Sequence, residues 1–346
     1  MRRPSRTPTL AFVSIVSTGA LAVSLLAAPA QAARPTRVSG TLSATATNPG
    51  GAVTISGYVK SRKKSRTVVL EQKVASGWRK VAKTRSDTSG AYAIAVPTHW
   101  FYSTKLRARV VKKRTYRGAT SRPRRMDVVP AYTPLGDPKQ WGWLSRYQHH
   151  FNPCRTVTYG INTSRATPDA ATVVSGIQNT MALVGQATGI TFEYVGETSA
   201  MPYDNKVGKK DPKLVFGFTT DAETKLDLGP DVAARGGADK SRWARNARGK
   251  RIAETLSAGV IYDLTDTATM NASQFEGLTM HEVGHAMGLA HTTDPNQFMT
   301  PGEPAYVLAH NYGAGDLAGF AALGLQGGCL RPLGSRRKVI APRVVS

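Results

Sequence analysis

The sequence is poor in cysteine throughout and poor in acidic residues in its first half. Its 346 residues include two cysteines, Cys154 and Cys329, and this scarcity excludes a disulfide-rich scaffold. Residues 34–130 carry three acids against 22 lysines and arginines, a net charge of +19, whereas residues 131–346 carry 19 acids against 21, a net charge of +2. So sharp a difference in charge predicts two domains.

Long apolar stretches are missing after residue 32, so no second segment of the sequence predicts a membrane span. Residues 1–32 combine a basic head, an apolar run and the small residues of Ala30-Gln31-Ala32. These features predict a cleaved secretory signal peptide and a secreted, extracellular mature protein. A membrane anchor is the rival interpretation, and the serines within the run disfavour it. The Arg2-Arg3 pair suggests twin-arginine export, but its flanking residues favour general secretion.

The two cysteines are predicted to form one disulfide, since an exported protein meets an oxidising compartment. Pairing Cys154 with Cys329 would join the start of the second domain to its end. Closing so long a loop would stabilise the fold by about 4–5 kcal/mol in the chain-entropy model. Two free thiols are the alternative.

The basic first half, residues 34–130, has short β-rich runs separated by turn residues. Regular short strands of this kind are typical of an antiparallel β-sandwich. The segment loosely resembles the small immunoglobulin-like accessory domains of exported bacterial proteins. The predicted strands are 53–59, 67–72, 78–82, 91–96 and 106–111.

Residues 131–146 read as a linker, and the sequence after them alternates strands with helices, which predicts an α+β domain. Thr167 is the expected cap of the first helix, and Ser273 with Glu276 forms a capping box for the second. Residues 221–251 are polar, basic and glycine-containing, and residues 331–346 form a basic tail. The predicted strands are 156–161, 190–195, 214–218 and 259–264, and the predicted helices are 167–187, 274–289 and 314–323.

The second of these helices carries His281, Glu282 and His285. Histidines four apart project from one helix face about one turn apart, so both imidazoles can reach one ion. Glu282 lies beside them without being a ligand, and it can take a proton from an attacking water and pass it to the leaving amine. The sequence therefore predicts a metal site with its own general base.

A third ligand, His291, requires the helix to stop first. In a continued helix it would lie about 9 Å beyond His285 along the axis. Gly288 accepts the left-handed conformation that ends a helix and turns the chain back. Three neutral imidazoles leave a fourth position for water, as a catalytic zinc site needs. By chance this pattern arises in on the order of one in 10^5 chains of this length.

The motif resembles the metzincin signature, H-E-x-x-H-x-x-G-x-x-H followed by a methionine turn. The spacing from His291 to Met299, the position of Asp294 and the Met-x-Pro ending are similar to the matrixin branch, with Thr292 where matrixins usually carry serine. Asp294 is expected to form a turn or to orient a ligand. Met299 is expected to form a hydrophobic base under the metal, and an ordinary core methionine is the alternative.

The resemblance implies a metzincin-like catalytic domain over residues 147–330, with a twisted mixed sheet, three helices and a cleft. It also implies an endopeptidase that cuts protein or peptide substrates with one catalytic Zn2+. The strand at 259–264 is expected to be the sheet edge that pairs with extended substrate, and a strand without substrate contact is the alternative. An exopeptidase or a non-peptide hydrolase fits this arrangement less well.

Departures from the family limit what the resemblance implies. Residues 221–251 contain no histidine, so the family's loop for a structural zinc and calcium is not recognisable. Residues 33–130 contain no cysteine, so the family's inhibitory cysteine switch is absent, and no tyrosine follows Met299 directly. Among the remaining histidines, His149 and His150 are expected to form a surface pair, and His99 and His310 to be structural or exposed.

The basic first domain suggests a second function. A strongly cationic domain outside the cell attracts polyanions, and the candidates are anionic wall polymers, acidic polysaccharides, nucleic acid and anionic membranes. The alternative function is therefore a cell-surface polyanion-binding protein whose peptidase domain is secondary. No specific nucleic-acid motif is visible. A solvated basic surface without a partner and a removable pro-domain are the remaining interpretations.

Overall fold

The computed structural model describes residues 36–61, 65–113, 116–204, 211–224, 226, 228–229, 232–302 and 310–334. The predicted signal peptide and residues 335–346 of the predicted tail lie outside the described residues. Within the described part of the chain, no helix combines the length and the apolar character needed to cross a membrane.

The first part of the chain folds into two β-sheets. One has the strand order β1-β4-β2 with β7 beside β4, and the other has the order β3-β10-β8-β5-β6 with β9 beside β8. All pairs are antiparallel except the parallel pair of β3 and β10. The strands are β1 Arg37–Val38, β2 Thr41–Leu42, β3 Ala46–Thr47, β4 Thr54–Lys60, β5 Thr67–Val74, β6 Gly77–Arg85, β7 Ala91–Ala95, β8 Tyr102–Val110, β9 Ala119–Thr120 and β10 Arg124–Val128.

Both sheets bury alternate residues in one apolar cluster. Ile55 and Tyr92 come from the first sheet, and Leu70, Leu106 and Met126 come from the second. Period-two alternation places one face of each sheet in this cluster and leaves the other face outside. The resemblance to immunoglobulin-like domains stays a prediction.

The second part has a mixed sheet with helices, which is the α+β architecture that the sequence predicted. The strand order is β13-β12-β14-β16-β15-β17, with β11 beside β16, and β15 runs antiparallel to β16. The elements are β11 His150–Phe151, β12 Val157–Ile161, α1 Ala170–Thr188, β13 Phe192–Glu197, β14 Leu214–Thr219, a 3-10 helix Asp221–Glu223, β15 Ala234–Arg245, β16 Arg251–Asp263, α2 Leu264–Ala268, α3 Ala272–Met287, α4 Ala314–Leu323 and β17 Arg331–Pro332.

Helix α1 buries one apolar stripe and begins two residues later than Thr167 would place it. Asp169 is the N-cap, because its side chain accepts a hydrogen bond from the backbone N–H of Thr172 at 2.9 Å. The Thr167 hydroxyl instead lies 2.7 Å from the Thr267 hydroxyl. Aspartate is a stronger N-cap than threonine, so the helix begins after Asp169 rather than after Thr167.

The predicted substrate edge at 259–264 is wrong. These residues belong to β16, which lies between β14 and β15 inside the sheet. Strand β15 occupies part of the stretch 221–251, which has no strand-like hydrophobic pattern. Its glycines Gly236 and Gly237 disfavour a strand by propensity, but a Cβ on Gly236 would lie 2.0 Å from the Glu282 carbonyl oxygen, so the packing of α3 against this strand requires glycine there.

Residues 131–146 pack against the second part rather than hanging free. The Leu144 backbone N–H donates to the Gly288 carbonyl at 2.9 Å, and the Ala290 N–H donates to the Gly142 carbonyl at 3.0 Å. The Ala314 N–H donates to the Leu135 carbonyl at 2.7 Å. The segment therefore supports the end of α3 and the start of α4, while the predicted domain boundaries stay predictions.

A disulfide joins Cys154 to Cys329, which confirms the predicted pair and closes a separation of 175 residues. Beside it, the Asn152 side-chain amide donates to the Leu330 carbonyl at 3.0 Å. The start and the end of the second part are thus fixed to each other.

Candidate metal centre

Helix α3 carries three of the predicted site residues, and its start differs from the prediction. Asn271 and Gln274 form the capping box: the Asn271 side chain accepts from the Gln274 N–H at 3.0 Å, and the Gln274 side chain accepts from the Asn271 N–H at 2.9 Å. The predicted pair of Ser273 and Glu276 fits the same spacing two residues later. Both pairs match the motif, and the sequence alone does not rank them.

The helix ends at Gly288, as predicted. Gly288 has φ 115°, and a Cβ there would lie 2.0 Å from the His149 carbonyl oxygen. Glycine is therefore required twice, once for the left-handed backbone and once for the close approach of residue 149. This turn carries the chain back so that His291 faces the helix.

The three predicted ligands come together. The Nε2 atoms of His281, His285 and His291 lie 3.0–3.1 Å from one another. Within the described residues they are the one group of three or more potential metal ligands found so close together. Zinc bound tetrahedrally at ~2.0–2.1 Å separates its ligand nitrogens by roughly 3.3 Å, so the spacing suits an ion of this kind.

Backbone carbonyls orient two of the rings. His281 Nδ1 donates to the Phe298 carbonyl at 2.6 Å, and His285 Nδ1 donates to the Leu289 carbonyl at 2.8 Å. A carbonyl can only accept, so Nδ1 carries the proton in both rings. Burial lowers the pKa of His281 to about 4 and that of His285 well below its ordinary value, so both imidazoles are neutral.

A neutral imidazole with its proton on Nδ1 has an unprotonated Nε2. The Nε2 atoms of His281 and His285 are therefore two lone pairs that face each other at 3.1 Å. Neither can donate to the other, so their approach is repulsive unless a cation lies between them. The residues present thus fit a bound metal ion.

Glu282 is buried next to the histidines. Its Oε2 atom has no hydrogen-bond partner among the described residues, and the backbone of Gly236 hydrogen-bonds to its carboxyl group. Burial raises the pKa of Glu282 to about 8. A carboxyl group with one oxygen unengaged and a raised pKa is suited to proton transfer near neutral pH.

Strand β15 passes directly over this helix. A Cβ on Gly236 would lie 2.0 Å from the Glu282 carbonyl oxygen, so only glycine admits α3 at this distance. On β16, Gly259 is the partner of Gly237, and a Cβ on Gly259 would lie 2.7 Å from a side-chain atom of Pro202. The neighbouring Tyr203 hydroxyl donates to the Gly259 carbonyl at 2.7 Å. No motif in the sequence predicts these contacts.

Met299 packs beneath the helix. A Cβ on Gly284 would lie 2.1 Å from the Met299 sulfur, so Gly284 lets the methionine approach. The Thr292 N–H donates to the Met299 carbonyl at 2.8 Å, which closes the turn between the third histidine and the methionine. Asp294 forms this turn, since it accepts from the N–H groups of Asn296 at 3.0 Å and Asp137 at 2.8 Å.

Asp316 supports the candidate site, although it lies outside the sequence motif. From the first turn of α4, its carboxyl group accepts from the N–H groups of Phe298 at 2.7 Å, Gly313 at 2.9 Å and Met299 at 3.3 Å. Phe298 is the residue whose carbonyl receives His281 Nδ1. Asp316 therefore holds the backbone that orients a ligand, and its only sequence signal is an acid in the first turn of a helix.

The expectation that His149 and His150 form a surface pair is wrong. Both are buried, with 3% and 5% of their surface exposed. His149 Nδ1 lies 2.6 Å from the Ser145 hydroxyl, and His150 Nδ1 donates to the Phe151 carbonyl at 2.8 Å. The pair enters the interior because β11 joins the sheet beside β16.

A family model described as Matrixin matches residues 148–313. This segment is therefore a matrixin-like domain. Matrixins are zinc-dependent metallopeptidases and are typically extracellular. The resemblance drawn from the motif is thereby confirmed. We refer below to the second part of the chain, residues 131–334, as the matrixin domain.

No curated protein matches the chain. Among solved structures, the sporulation control protein Spo0M from Bacillus subtilis is 14% identical over 28% of this chain, with a TM-score of 0.20. The chain spans half the length of that protein. A likeness of this size carries no information about the function.

Proposed function

We propose that the protein is a secreted zinc-dependent endopeptidase. The observation that carries the proposal is the meeting of unprotonated Nε2 atoms from His281 and His285 with His291, all within 3.0–3.1 Å. The matrixin match over residues 148–313 supports the same activity.

His281, His285 and His291 would hold one zinc ion, and their three nitrogens leave a fourth position open. When bound there, zinc supplies a Lewis acid that polarises a peptide carbonyl and lowers the pKa of water. Met299 would line the underside of the site without being a ligand.

Glu282 would act as the general base. It accepts a proton from the attacking water and passes that proton to the amine nitrogen of the leaving product. The unengaged Oε2 atom is the one available for this transfer. The hydrogen bond between the backbone of Gly236 and the Glu282 carboxyl group holds the Glu282 side chain in place during the transfer.

Strand β15 would receive the substrate. Strand β17 pairs with it only at Ala244 and Arg245, and no described strand pairs with the outer edge of residues 234–243. An extended peptide can add to such an edge through main-chain hydrogen bonds. Because β15 crosses over Glu282, a peptide on this edge would pass the metal centre with chain on both sides of the cut bond.

The test is cleavage of denatured casein by the purified chain and by Glu282→Gln, with zinc content measured on both. We expect about one zinc in each protein and a loss of cleavage of roughly 10^2–10^4-fold in the variant. Glu193→Gln is the matched control, since Glu193 is an exposed acid on β13. A parent protein that binds no zinc, or a Glu282→Gln variant that keeps full activity, would contradict the proposal.

A second candidate function rests on the outer face of the sheet β3-β10-β8-β5-β6. Alternation places six exposed cations on that face, while its one buried acid, Glu71, is already paired with Arg107 and Arg109. We propose that this face, the basic sheet face, binds anionic polymers of the cell surface. The exposed cations are Lys73, Lys80, Lys83, Arg85, Lys105 and Arg125.

The test compares retention of the full chain on dextran sulfate and on neutral dextran. The triple variant Lys80→Glu/Lys83→Glu/Arg85→Glu should elute at clearly lower salt. The matched control Lys139→Glu/Arg155→Glu/Arg331→Glu changes the net charge equally at exposed positions elsewhere. If both triple variants elute at equally lowered salt concentrations, net charge alone explains the retention, and the basic sheet face is not a specific binding surface.

A further inference from the structure

A cavity lies where the matrixin domain meets the first part of the chain, apart from the metal centre. Its volume is about 480 Å³, within the range of ~300–1,000 Å³ that small-molecule sites occupy. The turn of the β15–β16 hairpin, the end of α4 and residues 141–150 form its walls. The residues that matter below are Trp141, Trp143, Gln148, Asn246, Arg248, Lys250 and Ala321.

Aromatic rings form one side of the cavity. The indoles of Trp141 and Trp143 lie 5.6 Å apart at an angle of 68°, so they make two walls that meet at a corner. His150 packs against Trp143 with ring centroids 5.8 Å apart. Both indoles are only partly buried, although apolar rings of this size gain more by full burial.

Amide groups and cations form the other side. With its amide oriented to suit its neighbours, Gln148 Oε1 accepts from Lys250 Nζ and from Trp143 Nε1, both at 3.1 Å. Asn246 shapes the hairpin turn, because its Oδ1 accepts from the N–H groups of Arg248 and Lys250 at 3.0 Å. The turn thus presents both cations at the rim, where they are exposed.

The charge at this cavity has one sign. No aspartate or glutamate is among the described residues that line it. Burial lowers the pKa of His150 to about 4, so that ring is neutral and the fixed charges are those of Arg248 and Lys250.

We propose that this cavity binds an acidic saccharide, with the sugar ring against the two indoles and its carboxylate between Arg248 and Lys250. The electron-rich face of an indole attracts the C–H groups of a sugar ring. A guanidinium and an ammonium at the rim match a carboxylate. The site is separate from the metal centre and from the basic sheet face, and it would attach the enzyme to glycan-bearing material.

Two simpler ligands fit the cavity less well. A neutral sugar would leave the charges of Arg248 and Lys250 at the rim without a negative group on the ligand. A small inorganic anion would leave the two indoles and most of the volume in contact with water. An acidic sugar uses both features at once, which is the reason for choosing it.

The experiment is calorimetric titration of the full chain with a hyaluronan tetrasaccharide, which carries glucuronate, and with chitotetraose, which is neutral. We expect saturable binding of the hyaluronan fragment at concentrations up to about 5 mM. Chitotetraose should bind at least tenfold more weakly. Absence of binding by the parent protein, or equal binding of the two saccharides, would overturn the proposal.

Two variants locate the binding. Arg248→Ala/Lys250→Ala removes the exposed cations, and Ala321→Phe fills the cavity from α4 without removing a polar contact. Each should weaken binding of the hyaluronan fragment at least tenfold, while casein cleavage and thermal unfolding show that Ala321→Phe remains folded. Lys83→Ala/Arg85→Ala, on the basic sheet face, is the matched control and should bind as the parent does. If the control loses binding and the cavity variants keep it, the saccharide binds the basic sheet face and the proposal fails.

Discussion

The two parts of this chain differ in their charge, in their disulfide content and in the residues on which their structures depend. The first part, residues 36–130, has no cysteine and a core built from alternate residues of two sheets, and the outer face of one sheet carries six exposed cations. The matrixin domain has nearly balanced charge and a disulfide. Glycines whose close contacts admit no side chain occur in both parts, at Gly57 and Gly90 in the first, but those of the matrixin domain include Gly236, Gly284 and Gly288 at the metal centre. We expect the alternating pattern of the two sheets to tolerate single substitutions on the outer face. We expect the metal centre to tolerate fewer, because its backbone contacts require glycine.

The disulfide offers the largest test of this difference. Replacing both cysteines, in Cys154→Ser/Cys329→Ser, removes a link across 175 residues of the matrixin domain. The chain-entropy model predicts a loss of about 5 kcal/mol in that domain's free energy of unfolding. The first part has no such link and should be little affected.

Hydrogen exchange of the intact chain can separate the two parts in this variant. Protection should fall in α1, α3 and the mixed sheet and should stay near its original value in β5 and β8. The parent protein treated with reductant is the control for the substitutions themselves. Equal loss of protection in both parts would mean that they unfold as one unit.

Two glycines with nearly the same φ angle provide the next comparison. Gly77 in the first part has φ 118° and nothing within 4 Å of an added Cβ, whereas Gly288 has φ 115° and the His149 carbonyl oxygen at 2.0 Å. Gly77→Ala should cost about 1–2 kcal/mol from backbone strain. Gly288→Ala should cost about 3–4 kcal/mol, since the chain at residue 149 must also move.

Urea unfolding measures both costs, and zinc content supplies a second readout. Gly288→Ala should also lose most of its zinc, because the turn that brings His291 back is displaced, whereas Gly77→Ala should bind zinc as the parent does. If the two variants lose the same free energy of unfolding, the close contact at Gly288 adds nothing to the cost of the substitution.

Asp316 shows how far a site residue can lie from the motif it serves. Its carboxyl group accepts three backbone N–H groups, and an amide in Asp316→Asn has one accepting oxygen in place of two. We expect a loss of about 2–3 kcal/mol and weaker zinc binding, because the Phe298 carbonyl no longer holds its place against His281. Asp221→Asn, in the 3-10 helix, is an acid-to-amide control away from this turn.

The pH dependence of Asp316 has a definite sign. Burial and the nearby charge of Asp294 raise the pKa of Asp316 to about 6, above its ordinary value of 3.8. Tyr132 and Tyr312 face the same carboxyl group and are neutral at these pH values. The folded state therefore binds more protons than the unfolded state between pH 4 and 6, and stability falls as pH rises through this window. The parent should show this fall and Asp316→Asn should lack it, as urea unfolding at several pH values would measure.

The sequence predicted the parts of the site that a short motif encodes. His281, His285, His291 and the turn at Gly288 are specified within eleven residues, where helix geometry and glycine conformation suffice to place them. The α+β class followed from the order of strands and helices. The disulfide followed from there being two cysteines in an exported chain.

The remaining features depend on contacts between distant segments. The sequence does not predict strand β15, because glycine has a low propensity for strands. The close approach of α3, which requires glycine at position 236, exists only in the folded chain. Asp316 lies 17 and 18 residues from the N–H groups it receives on Met299 and Phe298. The composition of residues 131–146 predicts a linker, yet their backbone forms hydrogen bonds with the chain at the end of α3 and at the start of α4.

The smallest expected effect concerns the one buried acid of the basic sheet. Glu71 lies between Arg107 and Arg109, and Arg107 also stacks over Trp78 at 4.0 Å. Glu71→Gln should cost about 1–2 kcal/mol, because both arginines are partly exposed and water replaces much of what they lose. The same change removes one of the two acids of the basic sheet face, the other being Asp127, which pairs with Arg125 at 3.0 Å.

Glu71→Gln should therefore raise the salt concentration at which the chain elutes from dextran sulfate while leaving casein cleavage unchanged. Asp87→Asn makes the same change of charge in the exposed turn before β7 and should shift elution less. A repeated pattern accepts such a substitution with a small loss of stability and a gain in affinity, which a site built from close approaches cannot do. If Glu71→Gln instead abolishes cleavage, the basic sheet and the metal centre are coupled, and the two parts of the chain are not independent.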